Sequence, residues 1–262
     1  MSSDYSNYSD YFALRERLLG PLRDQPLTTD QLCEAGRVIC GRPESLSLYG
    51  VPAPELTARG LRVLGRTALE CTKDPHPAVL AELLAELQPP PSRRPMVADL
   101  FCGSGNIGHH LHRRLGHPVH AAEYDPLVYA ATRHNLDRLS SAVTLHRADY
   151  RWLLTALPAR SECDTYVLDP PWGATAFTPD GLDLTRTAPP LPEILDDIRR
   201  SRDDLPCLVV IKTNDRIIDD SLHRSLGDAV HLRSFTPEPL LPPGLNAAFH
   251  LYRLRGAPTS RA

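Results

Sequence analysis

The sequence predicts an α/β protein, a doubly wound and mostly parallel sheet preceded by a helical N-terminal section. Three observations predict it. From Val97 onward, short β-rich runs alternate with helical stretches, the pattern of parallel strands joined by crossover helices. Before Gln88, apolar residues recur at helical spacing. Between them, Pro89-Pro90-Pro91-Ser92-Arg93-Arg94-Pro95 can carry neither a helix nor a central strand. The chain therefore divides into a helical section, 1–90, and an α/β domain, 96–256.

In the first section, Tyr11 to Leu19 has helical spacing, and Thr29 to Ile39 follows the cap candidates Thr28, Thr29 and Asp30. A third helix is expected within Pro54 to Leu69. The fourth, Pro77 to Leu87, places Ala78, Leu80, Leu83, Leu84 and Leu87 on one face. Met1 to Asp10 is a low-complexity Ser/Tyr/Asp stretch, expected to order only over a ligand if at all. In the second section, strands are expected at Val97–Phe101, Pro118–Ala122, Val143–His146, Thr165–Leu168 and Cys207–Ile211. Helices are expected at Ile107–Leu115, Leu127–Leu139, Arg151–Leu157, Leu191–Arg202 and Ile217–Leu226. The last two strands, Ala229–Phe235 and Ala247–Leu254, have no helix between them and should pair antiparallel at the sheet edge.

Composition narrows the class. The chain has 262 residues, 42% hydrophobic and 23% charged, enough for a buried core. No apolar run is long enough to span a membrane, and the polar, acidic Met1–Asp10 is not a secretory signal. Six scattered cysteines form no CxxC pair, so a reducing, cytoplasmic setting is expected. The net charge of −3 does not favour a nucleic-acid binder, which draws its affinity from phosphate contacts. Lys73 and Lys212 are the only lysines among 29 basic residues, which reads as coding bias.

The run Asp99-Leu100-Phe101-Cys102-Gly103-Ser104-Gly105-Asn106-Ile107-Gly108 contains GxGxxG between a strand and a helix, the context of a loop that cradles a ligand. One strand later, Glu123 ends the second strand, where a carboxylate can accept both hydroxyls of a ribose. Those two features suit a nicotinamide dehydrogenase as well as a methyltransferase. Asp99 separates them. A carboxylate inside the first strand suits the ammonium of a methionine moiety and not a pyrophosphate. Asp149, after the third strand, can accept from an adenine amine, or simply cap the next helix. The candidate cofactor-binding residues are Asp99, Phe101, Gly103, Gly105, Asn106, Glu123, Tyr124, Asp149 and Tyr150.

Asp169-Pro170-Pro171-Trp172 ends the fourth strand. Two prolines make a rigid loop with unused carbonyls, although Asp-Pro-Pro is also ordinary turn chemistry. A carboxylate and a free carbonyl can together accept both hydrogens of one amino group, while Trp172 stacks on the ring that carries it. That localises a conjugated lone pair for attack on a methyl group. Asp169, Pro170 and Trp172 are the candidate catalytic residues.

On the glycine run and the Pro-Pro loop, Val97 to about Leu254 resembles a class I S-adenosylmethionine-dependent amino-methyltransferase with an Asp/Asn/Ser-Pro-Pro-Tyr/Phe/Trp motif. Pro170-Pro171-Trp172-Gly173 is similar to trimethylguanosine synthases, and Asp99 to Gly105 to rRNA guanine-N2 methyltransferases. The resemblance implies a Rossmann-like seven-stranded sheet with an antiparallel last strand. It also implies S-adenosyl-L-methionine as cofactor, with Asp169 and the Pro170 carbonyl on the target amine. Asp169 departs from the Ser of the cap-modifying relatives, and the missing basic excess departs from the rRNA enzymes.

The expected activity is N-methylation of a nucleobase-like ring, in RNA or in a free nucleotide. The alternatives are N-methylation of a small metabolite, intramolecular chemistry on S-adenosylmethionine, or a partner subunit without catalysis. The long loop Gly173–Pro192 should recognise substrate, with Phe177 and Arg186 as its candidates. Tyr5, Tyr8 and Tyr11 are expected either to close over the pocket as part of an N-terminal lid or to lie in a loose tail. His109, His110 and His112 read as a solvated helix face, without the Cys or acidic residues that would complete a metal site. Cys102 reads as a small packing residue.

Overall fold

The computed structural model describes residues 3–87, 94–203 and 205–256, with side chains from residue 8 onward. Most of the Pro89–Pro95 boundary and the Tyr5 side chain therefore lie outside the described residues. The helical section comprises α1 (Ser3–Leu19), α2 (Thr29–Cys40), α3 (Ala53–Leu56), α4 (Gly65–Glu70) and α5 (His76–Leu87). After it, β1 (Val97–Asp99), α6 (Asn106–Leu115), β2 (Val119–Ala122), α7 (Pro126–Arg138), β3 (Val143–His146), α8 (Tyr150–Ala156) and β4 (Thr165–Leu168) alternate. Then come α9 (Leu191–Ser201), β5 (Cys207–Asn214), α10 (Asp219–Leu226), β6 (Val230–Phe235) and β7 (Ala247–Leu254). Two-residue hairpins occur at 47–52 and 177–182.

The seven strands form one sheet in the order β6-β7-β5-β4-β1-β2-β3. Strands β1 to β5 are parallel; β7 runs antiparallel to both neighbours, inserted between β5 and the edge strand β6. The strand order reverses beside β1, so β1 and β4 part their crossovers to opposite faces. That is where such sheets open a crevice at their carboxyl edge.

The period of two along each strand divides the core into two layers. Val97, Val119, Ala121, Val143, Val167, Val210 and Phe249 face one layer, shared with α1 to α6. Ala98, Leu100, Ala122, Tyr166, Leu168, Val209 and Ile211 face the other, covered by Leu153 and Leu154 of α8, Ile194, Leu195 and Ile198 of α9, and Leu222 of α10. The helical section thus completes the cover of one sheet face. Helix α2 begins with a capping box, Thr28 and Gln31 each bonding the other's backbone amide. No helix among the described residues is long and apolar enough to cross a membrane.

Several boundaries differ from the sequence expectation, three of them for a plain tertiary reason. The helix expected within 54–69 is two, because Gly60 adopts φ +73° and the chain then extends so that Leu27 N–H can reach the Val63 carbonyl at 2.9 Å. Strand β1 stops at Asp99, since the Cys102 amide turns to the Ala122 carbonyl at 3.0 Å. Strand β5 runs on past Ile211 to Asn214 because β7 pairs with it to that point. Helix α1 starts at Ser3, where the sequence suggested an unordered stretch.

At the amino end of the strands, Asp164 and Arg202 form a fully buried ion pair, 2.8 Å apart. Asp164 also accepts the amides of Met96, Arg160 and Ser161 at 2.7–3.0 Å. Arg202 also donates to the Ser161 and Pro206 carbonyls at 2.7 and 2.8 Å. All the charge there is consumed internally.

Candidate functional site

The carboxyl edge of β1, β2, β4 and β5 gathers Asp99, the glycine loop, Glu123, Asp169 and Lys212. Registers place them. Asp99 stands opposite Val167 on β4 and Ala121 on β2. Leu168 stands opposite Ile211, so the next residues, Asp169 and Lys212, are neighbours.

The glycine loop turns sharply: the Gly105 amide reaches the Cys102 carbonyl at 2.7 Å, with Gly103 at φ +50° and Gly105 at φ +72°. Both angles lie where only glycine is unstrained. Gly108 meets the sheet closely; a Cβ there would lie 3.1 Å from Val119 Cγ1.

Asp99 is 1% exposed, and neither carboxylate oxygen has a hydrogen-bond partner among the described residues. Burial first, then the charges of Asp169 and Glu123, push its pKa up to about 7, offset in part by the Phe101 backbone N–H, which lies near the carboxylate without closing a well-formed hydrogen bond, and by Lys212. A buried carboxylate without a partner is costly unless it is protonated or a cation reaches it. Glu123 follows β2, half-buried, with Oε1 accepting the Asp125 amide at 2.7 Å. Burial and the neighbouring Asp125 charge also raise it to about 7. Asp125 in turn caps α7 and is gripped at both oxygens by Arg66, at 2.7 and 2.8 Å.

Asp169 follows β4 with its side chain 22% exposed, and Lys212 Nζ donates to its Oδ2 at 2.6 Å. Burial raises the Asp169 pKa, while Lys212 and then Lys73 pull it down. Pro170 is buried, and Trp172 lies against the second core layer with Phe177 at 5.8 Å, edge to face. The Trp172 indole N–H is buried, with no acceptor among the described residues.

The remaining candidates divide. Phe101 lies partly buried against Tyr150, ring centroids 5.1 Å apart. Tyr150 is itself buried, its hydroxyl donating to Asp197 at 2.7 Å. Tyr124 is 76% exposed beside Glu123. Asp149 is exposed and caps α8 by accepting the Arg151 amide at 2.8 Å. Asn106 spends its side chain on the helical section, accepting from the Tyr49 amide at 2.7 Å and donating to the Thr72 carbonyl and Asp74 at 2.9 and 3.1 Å. Phe177 and Arg186 are exposed on the loop after Trp172. Tyr11 is buried on α1, its ring against Phe12, with no hydrogen bond or ring contact to Asp169 or Trp172 among the described residues. Tyr8 is exposed on the same helix.

The histidine helix differs from its expected solvated face. His109 is buried and bonds Ser141 at 3.0 Å, and burial holds its pKa at about 4. His110 lies 2.7 Å from Asp74, and His112 bonds the His117 carbonyl at 2.9 Å. The reason is α5 and the 47–52 hairpin, which cover that side of α6. Cys102 packs as a buried thiol pushed well up by burial.

Sequence reasoning missed Lys212. The available signal was a lysine inside a strand, in a chain that writes every other basic position but Lys73 as arginine.

No family model matches the sequence, and no curated protein matches it. Solved structures resemble it. Precorrin-6y C5,15-methyltransferase from Geobacter metallireducens is 17% identical over 71% of this chain and 91% of that one, with a TM-score of 0.46. Precorrin 8w decarboxylase from Methanobacterium thermoautotrophicum is 19% identical over 71% and 92%, TM-score 0.45. An Escherichia coli protein provisionally described as a methyltransferase is 17% identical over 71% and 88%, TM-score 0.46. At such identities and scores these likenesses carry no argument about activity.

Proposed function

We propose that this chain is an S-adenosyl-L-methionine-dependent N-methyltransferase acting on an amino group of a nucleobase-like ring. The observation that carries the reading is Asp99: a buried, unpartnered carboxylate inside the strand that leads into the glycine loop. That is the place and charge for the ammonium of a methionine moiety. Glu123, at the end of the next strand, offers the acceptor for a ribose. S-adenosylmethionine, when bound, supplies an electrophilic methyl group on a sulfonium.

The chain's own residues would then do three things. The free oxygen of Asp169 and the Pro170 carbonyl accept the hydrogens of the target amine, which turns its lone pair out of conjugation. Trp172 and Phe177 hold the ring so that the nitrogen points at the methyl group. Positioning of this kind supplies most of the catalysis. After transfer the nitrogen sheds one proton to water.

Methylation of a small metabolite is the second reading. It is favoured by the commitment of the two lysines near Asp169: Lys73 bonds the Leu69 and Cys71 carbonyls at 2.9 and 3.0 Å, and Lys212 the Glu70 carbonyl at 3.0 Å. Neither is left to meet a nucleic-acid phosphate. The test is incubation with methyl-labelled S-adenosylmethionine plus total RNA or a metabolite extract, with Asp169→Ala as the blank. Label on a ring amine, absent with Asp169→Ala, supports the reading. Label in neither fraction, or equal label with the variant, overturns it.

A further inference from the structure

A buried lysine in the middle of a strand is costly unless it serves its partners. Lys212 is 7% exposed, and its ammonium reaches two acceptors on different parts of the molecule: Asp169 Oδ2 after β4 at 2.6 Å and the Glu70 carbonyl at the end of α4 at 3.0 Å. The other Asp169 oxygen has no hydrogen-bond partner among the described residues, and the side chain is 22% exposed. This differs from Asp164–Arg202, where both side chains are wholly buried and Asp164 has several donors.

We infer that Lys212 is a positioning residue for methyl transfer: it ties one oxygen of Asp169 to the carboxyl end of α4 and leaves the other as the side-chain acceptor for the target amine. The inference rests on the reading of Asp169 given above. A compact ammonium suits the task, because its three donors radiate from one nitrogen and can meet both acceptors from a single point.

The pair also fixes charge. The groups facing Asp169 are Asp99 on β1, Glu70 at the end of α4, and the cations Lys212 and Lys73. His76, near both lysines, stays neutral at pH 7, its pKa held at about 4 by burial and their charge. Glu123 bears on the same cluster through Asp99. Without Lys212, Asp169 would sit half-buried among carboxylates with Lys73 as its remaining cation, and would take up a proton at higher pH.

The test compares the full-length protein with Lys212→Met, with Lys212→Gln as a second variant that removes the charge but keeps a donor. Affinity for S-adenosylhomocysteine within about twofold of wild type shows that either is folded. In wild type and variant, the Asp169 carboxyl is titrated by carbon NMR, and kcat is followed against pH with the amine acceptor that labelling identifies. The expected result is a kcat about 10–100-fold lower at pH 7, with its acid limb moved up by at least about one pH unit. The Asp169 titration should move the same way. Asp169→Ala combined with Lys212→Met should be no slower than Asp169→Ala alone, because the lysine acts through that carboxylate.

Penalties that multiply, or an acid limb that does not move, overturn the inference. The NMR titration needs no substrate and separates the two levels. An active chain whose Asp169 titration is unmoved removes the role of Lys212 and leaves the activity. A moved titration in a chain that methylates no amine removes the activity, and the role built on it.

Discussion

Two buried aspartates, Asp164 just before β4 and Asp99 at the end of the neighbouring β1, could hardly differ more in their company. Asp164, just before β4, is wholly buried beside Arg202 and accepts three backbone amides as well. Asp99, at the end of β1, is 1% exposed and has no hydrogen-bond partner among the described residues. Residue type and burial are the same; what differs is compensation. At the amino edge the chain satisfies its own charge, which makes structure. At the carboxyl edge it leaves a charge for something to complete. Strand β4 carries the contrast on its own: Asp164 precedes it in a closed network, and Asp169 follows it with one oxygen held and one free.

If that contrast is right, breaking the amino-edge pair should cost stability and breaking the carboxyl-edge groups should cost function. The largest effect expected is from Asp164→Ala, which orphans a buried guanidinium. Urea unfolding should show a loss of about 3–5 kcal/mol, with S-adenosylhomocysteine affinity of the folded fraction unchanged.

Next comes Asp169→Ala, whose kcat should fall roughly 10²–10³-fold, with a smaller loss of stability than Asp164→Ala because Lys212 keeps the Glu70 carbonyl. Asp169→Asn keeps an acceptor oxygen and should retain activity well above the Ala variant. Glu123→Ala should weaken S-adenosylhomocysteine by about 10–100-fold in calorimetry, the worth of hydrogen bonds to a charged acceptor. The smallest effect is that of Trp172→Ala. It should raise KM before it lowers kcat, because stacking serves ground state and transition state alike.

Stability against pH sharpens the comparison further. The folded pKa values of Asp99 and Glu123, about 7, stand above their ordinary 3.8 and 4.5. Groups raised in this way favour the folded state at low pH and withdraw that support as pH rises through the folded pKa. The ligand-free protein should therefore melt at a falling temperature from about pH 4 to about 7 and level off above that. Asp99→Asn should flatten that fall, and Asp164 variants should not.

Much of this was legible in the sequence, for physical reasons that differ from place to place. The alternation of strands and helices after Val97 was plain, because parallel strands buried on both faces, such as Thr165–Leu168, are short apolar runs bounded by breakers. Gly103 and Gly105 announced their loop because its backbone angles admit little else. Asp99 stood out as a carboxylate in an apolar strand. Boundaries set by partners were not legible. Strand β5 is longer than its apolar run because β7 pairs with its polar end, and the extended break after Gly60 exists to pair with residues near Pro26. Nor was the bond between Lys212 and Asp169, 43 residues apart in sequence, since nothing local at either residue names the other. Asn106 showed the reverse failure. Its place in the glycine run suggested a ligand contact, but its side chain clamps the helical section to α6.

The measurement that bears most directly on the central claim is calorimetric binding of S-adenosylhomocysteine to wild type and Asp99→Asn between pH 5.5 and about 7.5. If Asp99 receives the ligand's ammonium, wild-type affinity rises with pH as the carboxyl, with its pKa of about 7, ionises. Asp99→Asn should bind at least about tenfold more weakly at pH 7.5 and lose most of that rise. Equal affinity in the two proteins, with the same dependence on pH, would contradict the account, because the unpartnered carboxylate would then have no part in holding the ligand.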